Sequence, residues 1–200
     1  MSRRDKEDFG RFLYTVTVVG LVVTVLGLAA IWYYFNYGSL PLPAVTPTQR
    51  SSAGRAALSP NQVMLYYTRD GRTLTGTVLE LSAGIVTPND RAREIVTSLL
   101  EGKGAIGLRT PLPAETKLRS IFVTNGLAVV NLSREFVNNF QGGPDQELVA
   151  VYSLVNSLLF NIEGIDGIQI LVEGERLPTL RGTVDIEQPL VANQAITRSL

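Results

Sequence analysis

The chain has 200 residues, with 18 lysines and arginines against 18 aspartates and glutamates, so no net field draws it toward nucleic acid. It contains no cysteine and no histidine. That removes disulfides, thiolate nucleophiles, imidazole bases, a lipid attached through cysteine and nearly every zinc or copper ligand set.

From Phe12 to Tyr37 no residue is charged, and Val16 to Tyr34 is a stretch of mostly Val, Leu, Gly and Ala. As a helix this stretch spans about 28 Å, close to a bilayer's hydrocarbon thickness. Phe9, Phe12 and Tyr14 precede it, and Trp32, Tyr33, Tyr34, Phe35 and Tyr37 end it, as aromatic belts do at membrane interfaces. Arg3, Arg4, Lys6 and Arg11 place the N-terminus in the cytoplasm and the rest of the chain outside. A cleaved signal peptide fits less well, because the apolar run is too long and Leu28-Ala29-Ala30 leads directly to Trp32. The predicted order is therefore a cytoplasmic stub at 1–11, a transmembrane anchor at 12–37, a flexible Pro- and Ser-rich linker at 38–60, a folded domain at 61–190 and a tail at 191–200.

Within the domain, strand-like segments at 63–68 and 74–82 flank Asp70-Gly71, and those at 117–124 and 127–132 flank Asn125-Gly126. Asp-Gly and Asn-Gly between such segments predict two hairpins. A helix follows each. Thr87 caps the first, with Pro88 and Asp90 in its first turn, Ile95, Val96 and Leu99 along its stripe and Gly102 at its end. The second runs from Pro144 to about Ile162, and its wide apolar stripe of Leu148, Val151, Tyr152, Leu154, Val155, Leu158 and Leu159 implies burial on more than one side. A last strand covers 168–173. The order predicts an α+β two-layer sandwich, a mixed and mainly antiparallel sheet with two helices on one face.

Candidate chemistry is sparse. Gly102, Gly104 and Gly107 spell G-x-G-x-x-G, but they follow a helix, and no helix N-terminus comes next to hold an anion. The acidic pairs Asp145/Glu147, Glu163/Asp166, Glu173/Glu175 and Asp185/Glu187 carry no spacing that requires a shared cleft, and helix capping accounts for the first. No calcium-loop pattern and no serine-lysine arrangement occurs. The expectation is a chain without enzymatic activity, cofactor or metal. Tyr66 and Tyr67 point to opposite faces of one strand, so one of them is expected at the surface, where it could stack on a sugar or a partner. Asn156 and Ser157 are small polar groups in an otherwise apolar helix and suit hydrogen bonding to a neighbouring loop. Glu173 and Gly174 are read as the end of the last strand.

In order along the chain stand LYY at 65–67, SLLEG at 98–102, LPAETKL at 112–118, NGLAVVNLS at 125–133 with Phe136, VYSLVNSLL at 151–159, IQILVEG at 168–174 and RGTVDIEQPL at 181–190. Together they make residues 63–190 resemble the GerMN domain family of sporulation and spore germination proteins. The resemblance implies an extracytoplasmic, non-enzymatic domain that contacts itself or other envelope proteins, with Tyr66, Tyr67, Asn156, Ser157, Glu173 and Gly174 as its structural or interaction positions. Binding of envelope glycan or peptide is the alternative. Relatives of this kind carry two such domains on a lipid anchor, whereas this sequence shows one domain after an apolar helix.

Overall fold

The computed structural model describes residues 24, 58–82, 84 and 87–198. The predicted stub, the anchor apart from Thr24, and the linker up to residue 57 lie outside the described residues. Among those described, no helix is long and apolar enough to cross a membrane. The chain divides into Met1–Arg50 and Ser51–Leu200, and the second unit is the one characterised below.

Its first hairpin pairs β1 (Gln62–Thr68) with β2 (Leu74–Glu80). The turn is locked by Asp70, whose Oδ1 accepts from the amides of Arg72 at 2.9 Å and Thr73 at 3.0 Å. These two bonds hold the Asp70 carboxyl down to about 2. Helix α1 (Pro88–Glu101) follows; Thr87 Oγ1 accepts from the Asp90 amide at 3.1 Å, with Pro88 in the first turn. At the far end Gly102 adopts φ +69°, and Lys103 N–H returns to Ser98 O at 2.9 Å, so the glycine run ends the helix as the sequence implied.

The second hairpin, β3 (Leu118–Thr124) and β4 (Leu127–Leu132), turns on Asn125 at φ +47° and Gly126 at φ +80°. Two consecutive positive φ values are what a two-residue hairpin turn needs, and Asn-Gly tolerates them best. A short helix α2 (Glu135–Asn138), the long helix α3 (Pro144–Asn161), β5 (Gly167–Val172) and a two-residue β6 (Thr197–Arg198) complete the order. β6 lies in the segment read from the sequence as a tail.

The fold is α+β, but the strands form two sheets where one was expected. β1-β2-β6 and β3-β4-β5 are separate three-stranded sheets, each with one antiparallel and one parallel pair. The physical reason lies at the outer edge of β1. There the main chain is engaged by side chains of α3, described below, so no strand of the second sheet can add to it.

One apolar core joins all the layers. Leu65 and Tyr67 from β1, Ile95 and Leu99 from α1, Leu154 and Leu158 from α3, and Val130 and Ile170 from the second sheet are all fully buried in it. Each such aliphatic side chain stabilises the fold by roughly 1.5–3 kcal/mol relative to exposure. Helix α3 is buried almost continuously from Val149 to Leu159, which is the burial on more than one side that its broad stripe implied.

Candidate functional site

Helix α3 carries a ladder of polar side chains at four-residue spacing: Ser153, Ser157 and Asn161. This spacing keeps them on one face, and that face meets the outer edge of β1. Ser153 Oγ donates to Tyr66 O, and Ser157 Oγ accepts from Tyr66 N–H at 3.0 Å. Asn161 accepts from Met64 N–H at 2.8 Å and donates to Met64 O at 2.7 Å. The helix thus does with side chains what a neighbouring strand does with its main chain. All three residues are buried, so these bonds also satisfy groups that would otherwise be costly to bury.

Asn156 occupies an adjacent face of the helix. Its carboxamide donates to Asn193 O at 2.8 Å and accepts from Asn193 N–H at 3.0 Å, and it reaches Thr197 Oγ1 at 3.4 Å. A polar residue that looked isolated in the sequence therefore fastens the segment that delivers β6.

Glu147, in the first turn of α3, is fully buried. Its Oε1 accepts amides from Leu180 at 3.2 Å, Arg181 at 3.0 Å and Val184 at 3.1 Å, and its Oε2 accepts Thr183 at 3.1 Å. Burial pushes this carboxyl up, yet the amides of Arg181, Val184 and Thr183 outweigh it, and the net shift is downward. The capping role expected of the Asp145/Glu147 pair accordingly gives way to an anchor for the loop at 180–184. Asp145 instead faces solvent and lies 3.6 Å from Arg72.

Tyr66 and Tyr67 do project to opposite faces, but neither is at the surface: Tyr67 is 0% and Tyr66 5% exposed. Tyr67 donates to Lys103 O at 2.6 Å and Ser98 O at 3.2 Å, bracing the end of α1. Tyr66 sits with Leu74 and Val149 in a second small apolar cluster and meets Phe160 edge to face at 6.2 Å. Because sheet and helix cover both faces of β1, the expected exposed ring is absent here, and burial raises both hydroxyl pKa values.

Glu173 and Gly174 form the corner of a tight turn after β5, at φ +52° and φ +85°. A non-glycine residue in this region is strained, and the Glu173 side chain has two partners that hold it there. It accepts from the Arg119 guanidinium at 3.0 Å and the Arg134 amide at 2.9 Å, which keep its carboxyl below the usual range. The Gly174 amide donates to Asn131 Oδ1 at 2.8 Å.

The six residues singled out from the sequence thus split in two. Tyr66, Asn156 and Ser157 converge on the seam between α3, β1 and the C-terminal segment, with Tyr67 on the other face of β1; Glu173 and Gly174 belong to a separate corner. Glu147, Ser153, Asn161 and Gln169, whose Nε2 donates to Ile186 O at 3.1 Å, were missed. The i, i+4 spacing of Ser153, Ser157 and Asn161 was the one signal that could have revealed the ladder.

Two surface clefts flank the seam. One, of about 450 Å³, lies between residues 58–62, the start of α1 and the end of α3. Its Arg91 donates to Pro60 O, Gln62 O and Asn161 O at 2.6, 2.9 and 3.2 Å, tying the chain that enters the domain to the end of α3. The other, of about 210 Å³, is lined by Arg109, Phe140 and Gln146 among others. Among the described residues, no group of three or more acidic side chains comes together to hold a metal ion. Among the described residues, the large apolar side chains that stand out in solvent are Val78, Ile106, Phe122 and Val191, at 45%, 93%, 60% and 65% exposure.

Comparison with known proteins adds the following. The family model described as "Germane: Sporulation and spore germination" matches residues 64–178. The tandem GerMN domains of the sporulation protein GerM from Bacillus subtilis are similar in structure, with a TM-score of 0.51 and 22% identity over 65% of this chain and 45% of that one. The first GerMN domain of the same protein gives a TM-score of 0.51 at 19% identity, over 66% of this chain and 98% of that one. The chain spans less than half of the tandem structure. A search of the curated proteins gives no match.

Proposed function

Because the chain belongs to the Germane family of sporulation and spore germination domains, we propose that it acts as a non-enzymatic interaction module, held at the outer surface of a membrane by its apolar segment at 12–37. The observation that carries this reading is how the polar side chains are used. Glu147, Ser153, Asn156, Ser157 and Asn161 all bind the chain's own main chain. Side chains engaged in this way hold the fold together, and the surface is left to make contacts. Exposed apolar groups such as Phe122 and Val78 are suited to contacts with other proteins. The acyl-transfer and hydrolytic chemistries need a base and a nucleophile held within reach of each other, and the residues above are committed elsewhere.

The topology follows from the charge asymmetry of the anchor. The linker after it gives the domain a reach of roughly 25–70 Å from the bilayer, depending on its extension. The two functional halves of the proposal are therefore a fixed compartment and a mobile range.

Crosslinking of the full chain in intact cells, followed by identification of the adducts, tests the interaction. Specific envelope proteins or a second copy of the chain are expected; a strictly monomeric product without any adduct contradicts the proposal. Topology is tested separately, since the chain has no cysteine of its own. Val45→Cys is expected to react with a membrane-impermeant maleimide in intact cells, and Asp5→Cys only after lysis.

A further inference from the structure

We propose that the cleft of about 210 Å³ beside the first hairpin binds a peptide carboxylate, held by the Arg109 guanidinium and the side-chain amide of Gln146. This rests on the interaction-module reading and gives it a contact of defined chemistry.

The cleft forms where the chain between α1 and β3 meets the first hairpin and the start of α3. Arg109 N–H donates to Thr68 O at 2.8 Å, and Thr68 N–H to Arg109 O at 3.1 Å. This antiparallel bridge fixes the base of the arginine. On α3, Gln146 Oε1 accepts from the Gly143 amide at 2.9 Å. A carboxamide committed through its oxygen turns its NH2 the other way, so Nε2 is held as an outward donor. Among the described residues, neither the Arg109 guanidinium nor Gln146 Nε2 has a bonding partner.

Two glycines shape the space around these donors. A Cβ on Gly71 would stand 3.4 Å from Arg109 Nη2 and 3.7 Å from Gln146 Nε2. Both donors therefore border one point, and a bare glycine keeps that point clear. A Cβ on Gly142 would come to 2.5 Å from Gln146 Cβ and 2.7 Å from Phe140 Cζ. Only glycine lets the aromatic ring and the glutamine stem close together there, which sets that wall by packing. The loop after Pro113 is tied in by Asn139 Nδ2, which donates to Ala114 O at 2.9 Å.

Charge identifies the ligand class. Arg109 is the one cation among the residues lining the cleft, and none of them is acidic. Asp70, Asp145 and Glu147 adjoin lining residues in sequence, but each has other partners. Asp70 takes the Arg72 and Thr73 amides and lies 3.8 Å from Arg198, Asp145 lies 3.6 Å from Arg72, and Glu147 is buried under its four amides. A carboxylate is planar and singly charged, so it matches one guanidinium fork and leaves an oxygen for a neutral donor such as Gln146 Nε2. A doubly charged phosphate calls for more cations than this lining supplies. The volume is below the roughly 300–1,000 Å³ of a small-molecule pocket, which suits one residue of a longer chain, its aliphatic part against Phe140, Pro111 and Pro113.

The test uses the isotope-labelled full chain in a neutral detergent and three short peptides. They are acetyl-Ala-Ala-Glu-amide, its glutamine counterpart, and acetyl-Ala-Ala-Ala with a free terminal carboxyl. Saturable shifts of the Arg109 Nε–H and Gln146 Nε2–H2 resonances are expected with a carboxylate peptide and not with the neutral one. A response to the glutamate peptide assigns the site to an acidic side chain, and a response to the free terminus assigns it to a chain end. Equal response to the neutral peptide, or none to either carboxylate, overturns the proposal. Arg109→Gln removes the charge, while Gln146→Glu keeps the oxygen that caps Gly143 and replaces the donor with an acceptor. Each is expected to weaken binding by about tenfold or more, with the circular dichroism unchanged; unaltered affinity in both folded variants overturns the proposal. In cells, adducts of the wild-type chain that persist undiminished in both variants overturn the cleft as the contact and leave the interaction-module reading intact. Absence of adducts from the wild-type chain contradicts that reading, and the peptide titration decides on the cleft by itself.

Discussion

Asn156 holds Asn193 by both of its main-chain groups, donating to the carbonyl at 2.8 Å and accepting from the amide at 3.0 Å. This is the geometry of a strand pair made by one side chain, and it fixes the C-terminal segment from which Ile196 reaches Leu74 and β6 joins β2.

Replacing Asn156 with Leu keeps the size and removes both bonds, leaving the Asn193 groups unmet. A loss of about 1–3 kcal/mol is expected. In hydrogen exchange, the amides of Asn193 and Leu74 should lose protection while those of β4 and β5 keep theirs. Uniform loss across the domain would show that the segment is part of the global folding unit.

The Glu147 carboxylate accepts four amides from the loop at 180–184. Glu147→Gln replaces one acceptor oxygen with a donor facing an amide, and should cost about 2–4 kcal/mol in urea unfolding at pH 7. The pH dependence has a defined sign. The folded pKa lies below the ordinary 4.5, so the stabilisation is complete above the unfolded value and is lost as pH falls through the folded one. The wild-type chain should therefore lose stability more steeply below about pH 4.5 than Glu147→Gln does.

Ser157 accepts the Tyr66 amide and donates to Ser153 O at 2.6 Å. Ser157→Val leaves a buried N–H without an acceptor and should destabilise by about 1–3 kcal/mol. Ser157→Thr retains an oxygen and should recover part of this. Equal losses in the two variants would point to crowding at the seam instead of the missing acceptor.

Tyr67→Phe removes the hydroxyl that donates to Ser98 O and Lys103 O. The core is preserved, so a loss of about 1–2 kcal/mol is expected, with faster exchange of the Gly102 and Lys103 amides. Unchanged exchange at those amides would show that the helix end is held by its αL glycine alone.

Much of the local structure was legible in the sequence. Asp70-Gly71 and Asn125-Gly126 announced the hairpins, Thr87 and Pro88 began α1, Gly102 ended it, and the width of the apolar stripe announced how deeply α3 is buried. Asn156 stood out as a polar residue on that helix with a loop to hold. These signals are legible because each depends on residues within about four positions of one another, where backbone sterics and helical periodicity dominate.

The division into two sheets, the burial of both Tyr66 and Tyr67, and the anchoring role of Glu147 could be read only in the tertiary structure. Ser157 meets Tyr66 from 91 positions away, Asn161 meets Met64 from 97, and Glu147 gathers amides 33 to 37 positions along the chain. A serine, asparagine or glutamate on a helix has the same appearance in sequence whether it faces water or a distant main chain. Its role is decided when folding removes the water and leaves a particular backbone group as its remaining partner. Family membership and composition come from the sequence; that the outer edge of β1 is sealed by side chains comes from where α3 lies in the fold.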